Sequence, residues 1–237
     1  MIFGAILAGG TGTRMNLSSM PKQFLPLGDK PIIIHTVERF LKCKRMDAVF
    51  LGVHADWIDY TKDLIQEHLP SEVSRVYVIA GGADRTGTIL RLIAAIEGAY
   101  GQSEEHIILT HDSVRPFVTQ RMIEENIDAV YKYGAVNTVS PAIDTIVVSD
   151  DGKTITDVPD RTRMFLGQCP QTFRLTQLKE LYAALTDAER EKLTDASKIY
   201  IMKGLPVYLV RGEVSNIKIT TPADYKMAQA IAEDFCD

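Results

Sequence analysis

Residues 7–31, LAGGTGTRMNLSSMPKQFLPLGDKP, place two kinds of chemistry close together. Leu7, Ala8, Gly9, Gly10, Thr11 and Gly12 form a glycine-rich turn directly after an apolar run. Glycines let the backbone approach an anion closely and turn its N–H groups toward it. Arg14 and Lys22 then flank the turn with two cations, which suits charge build-up on a triphosphate. Each feature alone has a plainer reading. An isolated Gly-Gly-x-Gly is by default a tight strand-to-helix turn, and a single cation is by default a solvated surface charge. The segment is not a P-loop, because no Gly-Lys-[Ser/Thr] follows. No acidic residue completes a clear dinucleotide fingerprint.

Four more polar clusters follow. Gly81, Gly82, Ala83, Asp84, Arg85, Thr86, Gly87 and Thr88 make a polar loop opening a helix. Free N–H groups there suit a base or a phosphate, and a helix cap by Asp84 or Thr86 is the plain alternative. Thr110-His111-Asp112-Ser113-Val114-Arg115-Pro116 closes a strand with a carboxylate that could simply cap the next turn. Asp160-Arg161 precedes Gln168-Cys169-Pro170-Gln171. Lys218 alternates with apolar neighbours in Asn216–Thr220, a predicted short strand in which an ordinary exposed lysine is the default. His111 reads as structural. Cys169 reads as unreactive, since no His or paired Cys stands near it in sequence.

These clusters need elements to hold them. Strands are predicted at 3–8, 48–53, 75–80, 106–112, 135–141 and 207–212, and the main fold resumes at 171–175 after an interruption. Helices are predicted at 31–43, 56–68, 86–100, 119–133, 176–186, 194–203 and 222–234, with Pro31 suited to a first turn. This rhythm implies an α/β fold: a Rossmann-like, mostly parallel sheet with helices on both faces. Ligands bind such sheets beyond the carboxyl ends of the strands. The rhythm breaks after residue 141, where alternating residues surround Ser149-Asp150-Asp151-Gly152, a hairpin signal. An inserted β-hairpin arm over 141–160 is expected, with Ile143, Ile146 and Val148 on offer for a homodimer. A surface hairpin folded back on its own domain is the alternative.

The bulk properties bound these readings. The 237 residues suit one domain. A net charge of −5 leaves no basic surplus for nucleic acid. No apolar run approaches the ~20 residues of a membrane span. Three unpaired cysteines, Cys43, Cys169 and Cys236, fit a reduced, cytoplasmic setting.

The pattern from Ala8 through Arg14-Met15 to Pro21-Lys22-Gln23 resembles the signature of small-molecule nucleotidyltransferases with a Rossmann-like fold. More narrowly, it resembles the cytidylyltransferases that act on methylerythritol phosphate and on ribitol 5-phosphate. The resemblance runs from residue 2 to about residue 230. It implies CTP and a polyol phosphate as substrates, and a single nucleotidyltransferase domain over 1–237. The nucleotide would be held by Leu7–Gly12, Gly81–Thr88 and the Ser113 hydroxyl. Asp112 would hold Mg²⁺, which needs only one or two carboxylates beside phosphates and water. Arg14 and Lys22 would act on the triphosphate. Arg161 and Lys218 would clamp the acceptor phosphate, Arg161 coming from the arm, across a dimer interface if one forms. Two details resemble the ribitol enzymes: the eight-residue step from Arg14 to Lys22, and Ser113-Val114 where the methylerythritol enzymes usually have two alanines. The latter also usually carry Thr at the position of Cys169. Methylerythritol phosphate stays the second acceptor, and a non-catalytic nucleotide-binding protein on the same fold a third reading.

Overall fold

Strand β1 (Ile2–Ala8) lies inside the sheet because both of its faces are apolar. Ile2, Ile6 and Ala8 enter one core layer, while Phe3 and Ala5 enter the other. This is the period-two alternation of a strand covered on both sides. A computed structural model describes residues 1–10 and 20–235. After β1 come β2 (Pro26–Leu27), β3 (Lys30–Pro31), α1 (Ile32–Leu41), β4 (Ala48–Val53), α2 (Ile58–His68), β5 (Val76–Ala80) and α3 (Arg85–Tyr100). Then follow β6 (Ile107–Asp112), α4 (Gln120–Tyr133), β7 (Ala135–Pro141), β8 (Phe165–Arg174) and α5 (Leu175–Ala183). The chain continues with α6 (Asp187–Arg190), α7 (Ala196–Met202), β9 (Tyr208–Arg211) and α8 (Pro222–Phe235).

Seven strands form one sheet in the order β5-β4-β1-β6-β8-β7-β9. All pairings are parallel except those of β8, which runs antiparallel to β6 and β7. Helices α1, α2 and α4 cover one face, and α3, α5 and α7 cover the other. The α/β expectation holds. β4 and β6 flank β1 on opposite sides, so the connections leaving the strand ends part there and open a crevice. A third, smaller apolar cluster joins Leu27 and Ile32 to Val114, Phe117, Ile219 and α8.

Local signals set the helix ends. The Asp84 carboxylate accepts from the Gly87 amide at 2.7 Å and starts α3. The Thr119 hydroxyl does the same for α4 through Met122. Gly101 and Gly134 stop those helices with φ of +77° and +83°, which a side chain tolerates poorly.

Two expectations need correction. Residues 142–164 leave the sheet as expected, but not as two regular strands. Among them a single bridge joins Val148 to Asp157. The Asp-Gly turn itself is present: Asp151 accepts from the amides of Lys153 and Thr154, and Gly152 has φ +68°. The flanking side chains Ile143, Val147, Ile155 and Val158 are exposed, so no packed face stabilises a longer ladder in one chain. Residues 216–220 are not a strand either. Their backbone bonds go to side chains and turns instead, as described below.

A fully buried polar network ties α4 to β7 and β8. Asn126 Nδ2 donates to Met122 O and Thr138 Oγ1, both at 2.8 Å. Thr138 Oγ1 donates to Pro170 O, and Thr172 Oγ1 to Asn126 Oδ1. Asn126→Ala strands the Thr172 hydroxyl without water, a loss of about 1–3 kcal/mol before packing losses. Urea unfolding should show that loss as a lower midpoint with an unchanged slope.

Candidate active site

The parallel strands β5, β4, β1 and β6 end along one edge, and the residues singled out from sequence gather there. An open cleft of about 270 Å³ is lined by Leu7, Gly9, Gly10, Gly82, Ala83, Asp84, Arg85, Thr88, Asp112 and Lys218. The loop after β5 is held from within. Gly82 N donates to Thr88 Oγ1 at 3.0 Å, and Thr88 Oγ1 donates to Asp84 O at 2.8 Å. A Cβ on Gly82 would run into the backbone of Gly87 and Thr88, so only glycine allows this approach. Gly81, Thr86 and Gly87 belong to the loop but not to the cleft wall. Ala8 and Gly10 give their carbonyls to Gln23 Nε2 at 2.9 and 3.1 Å. Thr11, Gly12 and Arg14 lie outside the described residues.

Asp112, at the end of β6, is the electrostatic centre. Lys218 Nζ lies 2.8 Å from its Oδ2, Arg115 Nε 3.7 Å from the same oxygen, and Arg85 Nε 3.8 Å from Oδ1. Burial opposes the carboxylate charge, but Arg85, Lys218 and Arg115 outweigh it and hold the group well below the usual carboxylate range. Three cations around one carboxylate leave a positive surplus in a chain of net charge −5. Buried Arg85 Nη1 and Arg115 Nε have no hydrogen-bond partner among the described residues. Buried donors of that kind are costly unless something satisfies them, and phosphate oxygens are suited to do so.

A second cavity of about 390 Å³ adjoins across Lys218. Arg115, Ser140, Asp144, Gln168, Asn216 and Asp224 supply its polar wall, with Ile143, Ile146, Leu166 and Val214 among its apolar side chains. Lys218 lines both cavities. Its loop has no ladder and is held by side chains: Gln168 Nε2 on Glu213 O, Arg115 Nη1 on Asn216 O and Lys22 Nζ on Ile219 O, at 2.9, 2.6 and 2.9 Å. Buried Asn216 donates to Cys169 O at 2.9 Å and Gln168 Oε1 at 3.2 Å.

The structure therefore brings Asp112, Lys218, the Gly81–Thr88 loop and the first residues of the Gly9 turn together. Lys22 reaches the same loop as Lys218. Ser113 is buried and does not line the cleft. Arg161 lies on the exposed segment, where Nη1 donates to Ile143 O at 2.8 Å, and it lines neither cavity. Sequence reasoning gave no role to Arg115, Gln168 or Asn216, although each stands inside a quoted motif. Burial pushes the Cys169 thiol up, which disfavours a thiolate and agrees with its unreactive reading.

Among the described residues no cluster of three or more His, Cys, Asp or Glu could cage a metal, and no helix is long and apolar enough to cross a membrane. A lone hard carboxylate still suits Mg²⁺ shared with phosphates and water.

Residues 2–234 match the family model described as IspD, 2-C-methyl-D-erythritol 4-phosphate cytidylyltransferase. A ribitol-5-phosphate cytidylyltransferase of Streptococcus pneumoniae is 49% identical over 233 residues, covering 98% of this chain and 99% of that one. Among solved structures, the 4-diphosphocytidyl-2C-methyl-D-erythritol synthase of Anaerococcus prevotii superposes with TM-score 0.81 at 27% identity, covering 98% of both chains. The 2-C-methyl-D-erythritol 4-phosphate cytidylyltransferase of Thermus thermophilus does so with TM-score 0.74 at 27% identity, covering 98% of this chain and all of that one.

His111, next to Asp112, is fully buried, and burial pushes its imidazole from 6.5 down to about 4, against the Arg115 carbonyl, which pulls it up. A histidine depressed by folding contributes stability that is complete above its unfolded value and is lost as pH falls toward its folded one. The window is therefore pH 6.5 to about 4, worth about 3 kcal/mol. Melting temperature should fall across that window, and His111→Gln should remove a large part of the slope. An equal slope in both proteins would exclude His111 as its source.

Proposed function

Since the chain belongs to the 2-C-methyl-D-erythritol 4-phosphate cytidylyltransferase (IspD) family, we propose that it transfers a cytidylyl group from CTP to D-ribitol 5-phosphate, giving CDP-ribitol and pyrophosphate. The observation that carries this reading is Lys218 on Asp112, standing where two cavities meet. One cavity has the glycine-rich backbone that suits a nucleotide. The other has hydroxyl- and phosphate-binding groups around Arg115. The choice of ribitol 5-phosphate over methylerythritol phosphate is supported by the 49% identity over nearly the whole chain, against 27% to the methylerythritol structures.

In this reaction an acceptor phosphate oxygen forms a bond to the α-phosphorus of CTP as the bond to the β-phosphate oxygen breaks. The acceptor phosphate is already ionised near neutral pH, so no general base is needed. The chain's task is to bring two anions together and stabilise the charge that leaves. The Gly81–Thr88 loop binds the nucleoside, Arg85 faces the triphosphate, and the triphosphate charge is assigned also to Arg14 and Lys22. Lys218 and Arg115 draw the acceptor phosphate into line. Asp112 would hold Mg²⁺, which when bound supplies further charge neutralisation on the phosphates. This fits a product destined for a polyol-phosphate polymer such as teichoic acid, made in the cytoplasm. Arg161 serves the acceptor site of a second copy, with the apolar 142–160 segment as the contact of a homodimer.

Pyrophosphate release should be strong with CTP and ribitol 5-phosphate, and weak with ATP or with methylerythritol phosphate. Comparable rates with methylerythritol phosphate would move the acceptor assignment to the second reading. Asp112→Asn should lose most activity while keeping its circular dichroism. Arg161→Ala should lower kcat/KM for the acceptor by about tenfold or more with CTP affinity nearly unchanged, as for loss of a charge-assisted contact. Equal damage to CTP binding would end the assigned division between nucleotide and acceptor groups. Deleting the tip around Asp151-Gly152 should give monomers by light scattering.

A further inference from the structure

The turn from Asp112 to Arg115 carries both the central carboxylate and one of its cations, and each carbonyl in it meets a donor from a different place. Asp112 O accepts from the Arg115 amide at 3.1 Å, and Val114 O from the Ile219 amide at 3.0 Å. Ser113 O accepts from the buried Thr36 hydroxyl at 2.9 Å. Arg115 O meets the Nε2 of His111 at 3.0 Å. A carbonyl only accepts, so the imidazole must carry its proton on Nε2. Nδ1 is buried and has no partner among the described residues. The ring packs on Phe40 with centroids 5.1 Å apart, so it has little freedom to turn away.

We propose that His111 is a positioning residue for the transfer: by holding the Arg115 carbonyl, it sets the turn that places the Arg115 guanidinium beside Asp112 and in the wall of the second cavity. The proposal rests on the site being a cytidylyl-transfer centre. The imidazole touches neither cavity, and its role is exerted through Arg115. Arg115 reaches Asp112 Oδ2 and Asn216 O from this turn, so a shift of the turn moves the acceptor grip and its neighbour Lys218 together. The Gly81–Thr88 loop is less coupled to such a shift. Among the described residues its internal bonds run among Gly82, Asp84, Gly87 and Thr88, and Arg85 meets the turn through a 3.8 Å pair with Asp112.

Two amides of different reach test this. The Gln side chain places its N–H₂ where histidine has Nε2, whereas Asn places it near Nδ1, short of the carbonyl. His111→Asn should lower kcat/KM for ribitol 5-phosphate by about tenfold to a hundredfold, the scale of a misplacement near 1 Å. Its CTP affinity by calorimetry should stay within about twofold, since the nucleotide loop keeps its own bonds. Hydrogen exchange at 112–115 should speed up in the same variant. His111→Gln should restore both acceptor kinetics and slow exchange. Thr61→Val removes the Thr61 hydroxyl's bond to Trp57 O in the first turn of α2, outside both cavity linings. It should lower the melting temperature without changing the acceptor KM or kcat, which separates positioning from general stability.

Equal losses in the Asn and Gln variants, or an Asn variant with wild-type acceptor kinetics and unchanged exchange, would overturn the proposal. If the Asn variant does not fold, the Gln variant alone decides: near-wild-type acceptor kinetics support the role, and a loss beyond about tenfold removes it. Should the wild-type protein not turn over CTP with ribitol 5-phosphate, the functional reading fails. Exchange at 112–115 in the two variants then still decides whether the imidazole holds the turn.

Discussion

A single buried carboxylate shared by three cations is the constraint around which the cleft edge of the sheet is arranged. Removing charge from water is costly, and it is tolerated only when partners and geometry are supplied together. Here two partners come from remote places, Arg85 at the start of α3 and Lys218 after β9, and the third, Arg115, from the same turn after β6. Their meeting requires the parallel strands to end along one edge and the loops beyond them to be held still. The positive surplus left around Asp112 suits the edge to anions.

The Lys218 loop shows how holding still is achieved without a ladder. Its carbonyls are met by Gln168, Arg115 and Lys22, each from another element. Lys22 belongs to the glycine-rich segment after β1, and Gln168 lies on β8. The loop that presents Lys218 is therefore fastened from both the parallel half and the antiparallel half of the sheet. Asn216 completes the fastening as a donor to the Gln168 side chain and the Cys169 carbonyl.

What the sequence made legible follows from range. The apolar run of β1, the Asp84 cap and Pro31 at the start of α1 are local signals, and they mark elements to within a few residues. The direction of β8 is not local. A strand buried at Cys169–Phe173 reads the same whichever way it runs, and its start at Phe165 was hidden because its first residues are exposed. The 142–164 segment carried a true turn signal at Asp151-Gly152, while its flanking alternation described side chains that find no cover in one chain. The Asp112–Lys218 pair joins distant parts of the chain, and no periodicity reveals it. Both residues were singled out through the family resemblance, whereas Arg115 and Asn216, which do the holding, carried no mark distinguishing them from ordinary polar residues.

The reversal of β8 has a consequence for how such a protein can change. β7 ends at Pro141 on the same edge where β8 begins, since their register pairs Pro141 with Phe165. The intervening segment thus leaves and re-enters the sheet at a single doorway beside the second cavity. Its length and content are free of the sheet's register, and the entropy cost of a longer excursion grows only slowly. New contacts can be tried in that excursion while the strand ends around Asp112 stay as they are.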